Sequence, residues 1–242
     1  MFCICILAVM LALGGCAAGG DITKPIPSAF YPAPEKAQRT VVMLPGIADD
    51  LAALQERKVA SLIQAVWPDA DVVLTGLTLP FYKQGEAAQR LHDEVIRRYR
   101  KAGQPLWLAG ISLGGMGVLL YDRQYQGAAR GMLLMSPYLG EDGIREQIRA
   151  AGGLSQWDPG PAQAIDASNF QHELWRYIKS WQTEPPRTNS AWLAYGANEK
   201  FREPDSMIAP LFPTDHVIVL PGRHNWNLWQ RAFPLLLKRA DH

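Results

Sequence analysis

The chain of 242 residues is 48% hydrophobic and 19% charged, which is typical of one globular domain with a substantial core. Its formal net charge of +1 gives no electrostatic basis for binding nucleic acid, and we expect no nucleic-acid partner. All 3 cysteines lie in the first 16 residues. The rest of the chain can therefore form neither a disulfide framework nor a thiolate zinc site.

An apolar run over residues 2–13 is the first feature along the chain. It is too short to span a bilayer comfortably but has the length of a signal-peptide core, and a buried N-terminal strand or helix is the alternative. The run ends in Leu13-Gly14-Gly15-Cys16, which resembles the bacterial lipobox. The resemblance implies that residues 1–15 are a lipoprotein signal peptide and that Cys16 is lipidated.

The residues that follow Cys16 predict where the mature protein lies. No acidic residue stands next to the cysteine, which by the same resemblance favours the outer membrane of a Gram-negative cell, facing the periplasm. Residues 16–38 contain four prolines and a Gly-Gly pair without hydrophobic periodicity. We therefore expect this segment to be a semi-extended tether between the lipid anchor and a folded domain over residues 39–242.

Short apolar runs alternate with helical patterns through most of the predicted domain. Because continuous apolar strands separated by helices are typical of a parallel sheet covered on both faces, we predict an α/β fold with about six strands. The predicted strands cover residues 40–44, 71–75, 105–109, 131–135, 191–195 and 216–220, and the main helices cover residues 51–67, 85–101, 114–121 and 226–239.

One segment, at about residues 138–188, departs from this alternation. It is rich in aromatic residues and has helical character, so we interpret it as a small insertion that covers the functional site. Ordinary packing at the edge of the sheet is the alternative.

A serine between two glycines follows the third predicted strand, in the sequence Gly110-Ile111-Ser112-Leu113-Gly114. A serine at a tight strand-to-helix turn projects its hydroxyl above the edge of the sheet, and the glycines allow close backbone approach. The amide of Leu113, at the start of the helix, then points toward negative charge that develops beside Ser112. This context makes Ser112 a candidate nucleophile.

A serine hydroxyl needs an oriented base to remove its proton, and two later loops supply the required groups. Glu199 follows the fifth predicted strand, and His224 follows the sixth, in Gly222-Arg223-His224. The three side chains thus come after the carboxyl ends of parallel strands, where such sheets place their catalytic groups.

In this order of nucleophile, acid and histidine the chain resembles the α/β-hydrolase family over residues 40–239. The resemblance implies an α/β-hydrolase fold, a triad of Ser112, Glu199 and His224, and cleavage of carboxylic esters or thioesters through an acyl-enzyme. It also implies a second oxyanion donor from the loop Pro45-Gly46-Ile47-Ala48, for which the Ile47 amide is the candidate.

Several alternatives stay open from the sequence. Asp205 and Asp142 are the other candidates for the triad acid, and a surface glutamate is the alternative for Glu199. A non-catalytic envelope-binding lipoprotein and an envelope transacylase are the other functions considered. We expect no metal and no nucleotide cofactor, since no cluster of side chains has ligand spacing and no phosphate-binding loop is present. The expected partners are a small-molecule or lipid ester and the membrane that holds Cys16.

Overall fold

A seven-stranded sheet runs through the computed structural model, which describes residues 17–166, 168–183 and 185–241. The predicted signal peptide and Cys16 lie outside the described residues. The order across the sheet is β1-β3-β2-β4-β5-β6-β7, and all neighbours are parallel except β1, which is antiparallel to β3. In chain order the strands are β1 (Ser28–Tyr31), β2 (Arg39–Leu44), β3 (Ala70–Thr75), β4 (Leu106–Ile111), β5 (Gly131–Met135), β6 (Ala191–Gly196) and β7 (Val217–Leu220).

Apolar side chains on both faces explain why the sheet carries helices on both sides. Along β2, Val41 and Met43 join one hydrophobic core, while Val42 and Leu44 join the other. Side chains alternate between the faces of a strand, so the apolar run over residues 41–44 of β2 can be buried only if helices cover both faces of the sheet.

The helices form these two layers. They are α1 (Leu51–Glu56), α2 (Val59–Gln64), α3 (Leu79–Lys83), α4 (Ala87–Arg90), α5 (Arg97–Tyr99), α6 (Leu113–Gln124), α7 (Asp142–Ala150), α8 (Phe170–Ser180), α9 (Arg202–Ile208) and α10 (Trp226–Ala240), with 3-10 helices at Pro185–Ser190, Ala209–Leu211 and Thr214–His216. A π-helical segment, Leu91–Ile96, lies between α4 and α5. One layer contains α2, which packs on β3, and α10, which packs on β5, β6 and β7, and the other layer contains α6 and α8.

The predicted α/β fold with a mostly parallel sheet is confirmed, and the seventh strand comes from the segment that was expected to be a tether. Ser28–Tyr31 pairs with β3 at the edge of the sheet, and Ile26 is buried in the core with 3% of its surface exposed. Proline lacks an N–H and is tolerated beside an edge strand, so the prolines that suggested an extended tether are compatible with this pairing. A four-residue strand is also too short to produce a clear hydrophobic period.

The helical, aromatic part of the predicted insertion covers one face of the sheet, whereas Tyr138, at its start, lines the cavity beside Ser112. The Nε1–H of Trp175 donates to the carbonyl of Leu139 at 2.8 Å, and the Tyr177 hydroxyl donates to Asp122 on α6. These aromatic side chains are buried in the core beside α6. Their clustering in the sequence therefore reflects packing in the core beside α6, whereas the sequence alone left a cover for the site and packing at the sheet edge as the two alternatives.

We expect Ile26→Ala to lower the free energy of unfolding by about 2–5 kcal/mol, because it removes a buried side chain and leaves a cavity. Urea denaturation would measure this change. Thr23→Ala is the matched control, since Thr23 is exposed and its hydroxyl hydrogen-bonds to Asp21. An Ile26→Ala variant with the denaturation midpoint of the wild type would mean that the segment is a free tether after all.

Candidate active site

Ser112 occupies a strained turn between β4 and α6. Its φ of 51° and ψ of −113° are rarely adopted by a residue with a side chain. The turn is fixed by two backbone hydrogen bonds, because Ser112 N–H donates to the Met135 carbonyl and the Ser112 carbonyl accepts from Tyr138 N–H, both at 2.9 Å. These hydrogen bonds maintain the strained conformation, which places the hydroxyl at the carboxyl end of the sheet, as the sequence predicts for this motif.

Gly114 lets α6 begin directly against the loop that follows β2. A methyl group on Gly114 would lie 2.3 Å from the Leu44 carbonyl oxygen and 2.7 Å from that of Pro45. These contacts are with backbone atoms, which cannot move aside as a side chain can. The close approach places the first turn of α6 beside Ile47, two residues beyond Pro45.

Two backbone N–H groups, those of Leu113 and Ile47, are available at this junction. Both residues line the same cavity as Ser112. Within the described residues neither N–H has a hydrogen-bond acceptor. They are therefore free to bind an oxygen atom in the cavity.

His224 lies beside Ser112 and is held by two aromatic rings. Its Nε2 is 2.9 Å from Ser112 Oγ, and its Nδ1 is 3.2 Å from Glu199 Oε2. The rings of Phe201 and Trp229 contact the imidazole edge to face, with centroids 4.8 and 5.0 Å away. An ionised carboxylate can only accept, so Nδ1 carries the proton and Nε2 accepts from the serine hydroxyl.

Glu199 is buried and receives several hydrogen bonds. Its side chain has Ser136 as a second partner, since the Ser136 hydroxyl donates to Oε2 at 2.9 Å and in turn accepts from Trp229 Nε1–H at 3.1 Å. Burial raises the pKa of Glu199, but hydrogen bonds from His224, Asp205 and Ser136 outweigh it and hold the pKa below its usual value. Glu199 is therefore an ionised acceptor for the imidazole.

Asp205 lies behind Glu199 and is completely buried. Burial, followed by the negative charge of Glu199, raises the pKa of Asp205 well above its usual value. In the described part of the chain, Glu199 Oε1 and both Asp205 oxygens have no hydrogen-bond donor. Since the pKa of Asp205 is raised while that of Glu199 is lowered, we infer that the pair shares one proton, held by Asp205 and directed to ionised Glu199.

The two other candidates for the acid do not reach the imidazole. Asp205 contacts Glu199, as described above, and Asp142 lies on α7 with 72% of its side chain exposed, where it pairs with Arg145. Among the described carboxylates, Glu199 is the one that hydrogen-bonds to His224.

A cavity of about 300 Å³ opens beside Ser112 and His224. Tyr138, Phe201, Ile47 and Trp226 are among the residues that line it. Trp226 is fixed by Asp49, whose two carboxylate oxygens accept from its indole N–H at 3.0 and 3.1 Å. Burial raises the pKa of Asp49, although Trp226 and Arg57 oppose this effect.

Sequence reasoning did not find the groups that support Glu199 and shape the cavity. Ser136 follows β5 with a positive φ of 45°, and the sequence around it contains no motif. Asp49 lies in the loop after β2 that also contains Ile47, but its partner Trp226 is far away in the chain. A polar residue directly after a buried strand was the available signal for Ser136.

The described residues contain no group of three or more His, Cys, Asp or Glu side chains that could hold a metal ion. A helix with the length and apolar character of a membrane span is also absent from the described ranges. The site thus consists of a hydroxyl, an imidazole and a carboxylate in hydrogen-bond contact, an arrangement that can move a proton from Ser112 to His224 while Glu199 stabilises the resulting imidazolium.

No protein-family model matches the chain, and no curated protein matches it. Solved structures do match. Est1E from Butyrivibrio proteoclasticus is 14% identical with a TM-score of 0.60, and the match covers 88% of this chain and 91% of that chain. An arylesterase is 15% identical over 97% and 90%, with a TM-score of 0.58. S-formylglutathione hydrolase from Staphylococcus aureus is 11% identical over 86% and 82%, also with a TM-score of 0.58. The chain therefore has the α/β-hydrolase fold.

We expect Asp205→Asn to gain stability relative to the wild type as the pH rises. The native state holds a proton on Asp205 that the unfolded chain releases above its ordinary pKa of 3.8, so the wild type loses stability as the pH rises from there through the raised native pKa. Asparagine keeps a donor for Glu199 and does not titrate. Thermal unfolding from pH about 4 to about 8 would measure the difference.

Two further variants make this experiment specific. Asp205→Ala leaves Glu199 Oε1 without a donor and should cost about 1–3 kcal/mol. Asp215→Asn changes an exposed carboxylate and should show no such gain with pH. If Asp205→Asn were destabilised as much as Asp205→Ala at every pH, the shared proton would be refuted.

Proposed function

We propose, on the premise of the α/β-hydrolase fold, that the protein is a serine hydrolase that cleaves carboxylic esters or thioesters. Ser112 is the nucleophile, His224 the general base and Glu199 the acid of the triad. One observation carries the proposal: Ser112 Oγ, His224 and Glu199 form a continuous hydrogen-bonded chain, with distances of 2.9 and 3.2 Å, at the wall of a cavity.

The first half of the reaction forms the acyl-enzyme. Ser112 Oγ attacks the carbonyl carbon of the ester while its proton moves to His224 Nε2. The imidazolium is stabilised by ionised Glu199, and its proton is then transferred to the leaving alkoxide or thiolate. The alcohol or thiol departs, and the acyl group remains as an ester on Ser112.

Water completes the cycle by the same route. His224 removes a proton from the water, the resulting hydroxide attacks the acyl carbon, and Ser112 Oγ leaves with the proton from the imidazolium. In both halves the carbonyl oxygen becomes an oxyanion, for which the free N–H groups of Ile47 and Leu113 are the donors. The loss of one such donor typically lowers the rate about 100- to 1000-fold.

The cavity favours an uncharged acyl or aromatic group beside the scissile bond. Ile47, Tyr138, Phe201 and Trp226 provide apolar surface. A volume of about 300 Å³ is at the lower end for ligand sites, so it accommodates a short acyl or aryl group or one end of a longer chain.

A non-catalytic binding lipoprotein on the same scaffold is less well supported. Its distinguishing feature would be a triad that fails to assemble, with Glu199 turned toward solvent. Glu199 has 6% of its surface exposed and hydrogen-bonds to His224, which favours the enzyme. A transacylase would use the same acyl-enzyme, and product analysis with an alcohol acceptor separates it from a hydrolase.

We also propose that Cys16 is lipidated and that the protein is held at the bacterial outer membrane, facing the periplasm. The sequence Leu13-Gly14-Gly15-Cys16 after an apolar run supports this proposal.

We expect Ser112→Ala to lower kcat/KM for a soluble model ester by at least about 10⁴-fold, since the nucleophile is lost. Ser61→Ala, which changes an exposed serine on α2, should leave the rate unchanged. A fluorophosphonate probe read by intact mass should add to the wild type and to Ser61→Ala but not to Ser112→Ala. Hydrolysis by Ser112→Ala at the wild-type rate would refute the proposal.

We expect an alkyne fatty acid supplied to Gram-negative cells to be incorporated into the wild type and lost in Cys16→Ala. Cys5→Ala, which changes another cysteine of the same segment, should retain the label. Gel fluorescence after conjugation of the alkyne measures both. If Cys16→Ala kept the label, the lipid would be attached to another residue, and the assignment of Cys16 to a lipobox would be wrong.

A further inference from the structure

The first residues that the structure describes after Cys16 contact the loop that borders the candidate active site. The N–H of Ala18 donates to the Ile47 carbonyl at 2.8 Å, and the Thr78 hydroxyl donates to the Gly19 carbonyl at 3.1 Å. Ile47 is the same residue whose own N–H is free beside Ser112. The chain therefore enters the folded domain directly at the loop that borders the cavity.

This segment, residues 18–31, is bound along its length, and we call it the N-terminal strap. The guanidinium of Arg90 donates to the carbonyls of Ile22 and Lys24 at 2.8 and 2.6 Å. The N–H of Ile26 donates to Glu94 at 2.7 Å, and β1 then pairs with β3. At Gly20 a methyl group would lie 2.6 Å from Thr78 Oγ1, so the strap lies flush against the domain.

Because the strap is bound to the domain, it cannot serve as a flexible tether that separates the domain from Cys16. A flexible tether of about 22 residues would let the domain move roughly 25 Å from its anchor. Instead, two peptide units join Cys16 to Ala18, and covalent geometry limits this separation to about 7 Å. A lipid on Cys16 would thus be attached two residues before Ala18, which contacts the loop that contains Ile47.

We propose that the mouth of the cavity faces the bilayer that holds the lipid anchor, and that the substrate is an acyl ester of a lipid in that bilayer. This inference rests on the proposed hydrolase function and on lipidation of Cys16. It favours membrane lipids among the esters that the triad alone would accept, because an anchor beside the mouth keeps the esters of the bilayer close to Ser112.

The composition of the mouth agrees with a position at a membrane surface. Tyr138 and Trp226 line the cavity, and these residue types are enriched where a membrane meets water. Arg57 and Lys200 also line it, and long cationic side chains can cover apolar surface while their charge stays at the headgroups. Lys200 is exposed and forms no ion pair within the described part of the chain, so its charge is available to lipid headgroups.

The orientation can be measured without activity. Lys200→Cys places a fluorophore at the mouth, and Gln126→Cys places one in the exposed turn before β5, at the amino ends of the strands. In the mature lipidated protein each introduced cysteine is expected to be the one free thiol. In proteoliposomes with a quencher on the lipid headgroups, we expect the label at position 200 to be quenched at least about threefold more strongly than that at 126, since quenching falls steeply with distance from the bilayer.

The substrate class can be tested by inserting a flexible linker between Cys16 and the strap. A Gly/Ser linker of about 20 residues inserted after Ala17 leaves the strap intact but frees the domain from its anchor. In proteoliposomes we expect hydrolysis of a fluorogenic diacyl phospholipid to fall at least about threefold, whereas hydrolysis of a soluble p-nitrophenyl ester stays unchanged. The same linker inserted at Gly127, an exposed turn with open space around it, is the matched control.

The outcomes separate this inference from the proposed function. Equal quenching at positions 200 and 126, or phospholipid hydrolysis that the linker after Ala17 does not slow, would overturn the inference. Intact mass that shows no lipid on Cys16 would overturn it as well. If position 200 were quenched as expected but neither ester were cleaved, the proposed function would fail and the orientation of the mouth would stand.

Discussion

The contact between the start of α6 and the loop after β2 is the constraint on which the site depends. Gly114 permits a backbone-to-backbone approach that any side chain would prevent, since a methyl group there would lie 2.3 Å from a carbonyl oxygen. This approach brings the free N–H groups of Leu113 and Ile47 to one cavity, and it keeps Ser112 in a backbone conformation that it would not adopt alone. The sheet supports the approach, because β2 and β4 are parallel neighbours with Leu44 opposite Gly110.

A buried carboxyl pair stabilises the other half of the site. An ionised carboxylate is costly to bury, and Glu199 is buried with Ser136 and His224 as donors to one oxygen and protonated Asp205 beside the other. Trp229 extends the network by donating to Ser136 while its ring packs against His224. The orientation of the imidazole thus depends on α10 and on the loops that follow β5 and β6.

The sequence was sufficient to predict those parts of the fold and site that local patterns encode. Continuous apolar strands predicted the parallel sheet, and positions shortly after strands predicted Ser112, Glu199 and His224, which the structure brings into contact.

The features that the sequence did not predict depend on contacts between distant segments. The pairing of Ser28–Tyr31 with β3 is favoured by tertiary packing rather than by the composition of this segment. The prolines on both sides of the segment predicted a tether instead of a strand. The aromatic residues of the predicted insertion have the same periodicity whether they cover a site or a sheet, so the sequence could not decide between them.

The strap also determines which edge of the sheet is open to pairing with a second copy of the chain. β1 covers the outer side of β3, whereas β7 pairs with β6 on one side and with no strand of the described chain on the other. An exposed edge is a surface on which two copies can join, and antiparallel pairing of two β7 strands relates the copies by a two-fold axis perpendicular to the sheet. Such an axis reverses the strand direction, so the carboxyl ends of the two sheets would point in opposite directions. If Cys16 carries the proposed lipid, the two anchors of such a dimer would have to enter two different bilayers, so this dimer could bridge two membranes but could not lie with both mouths on one.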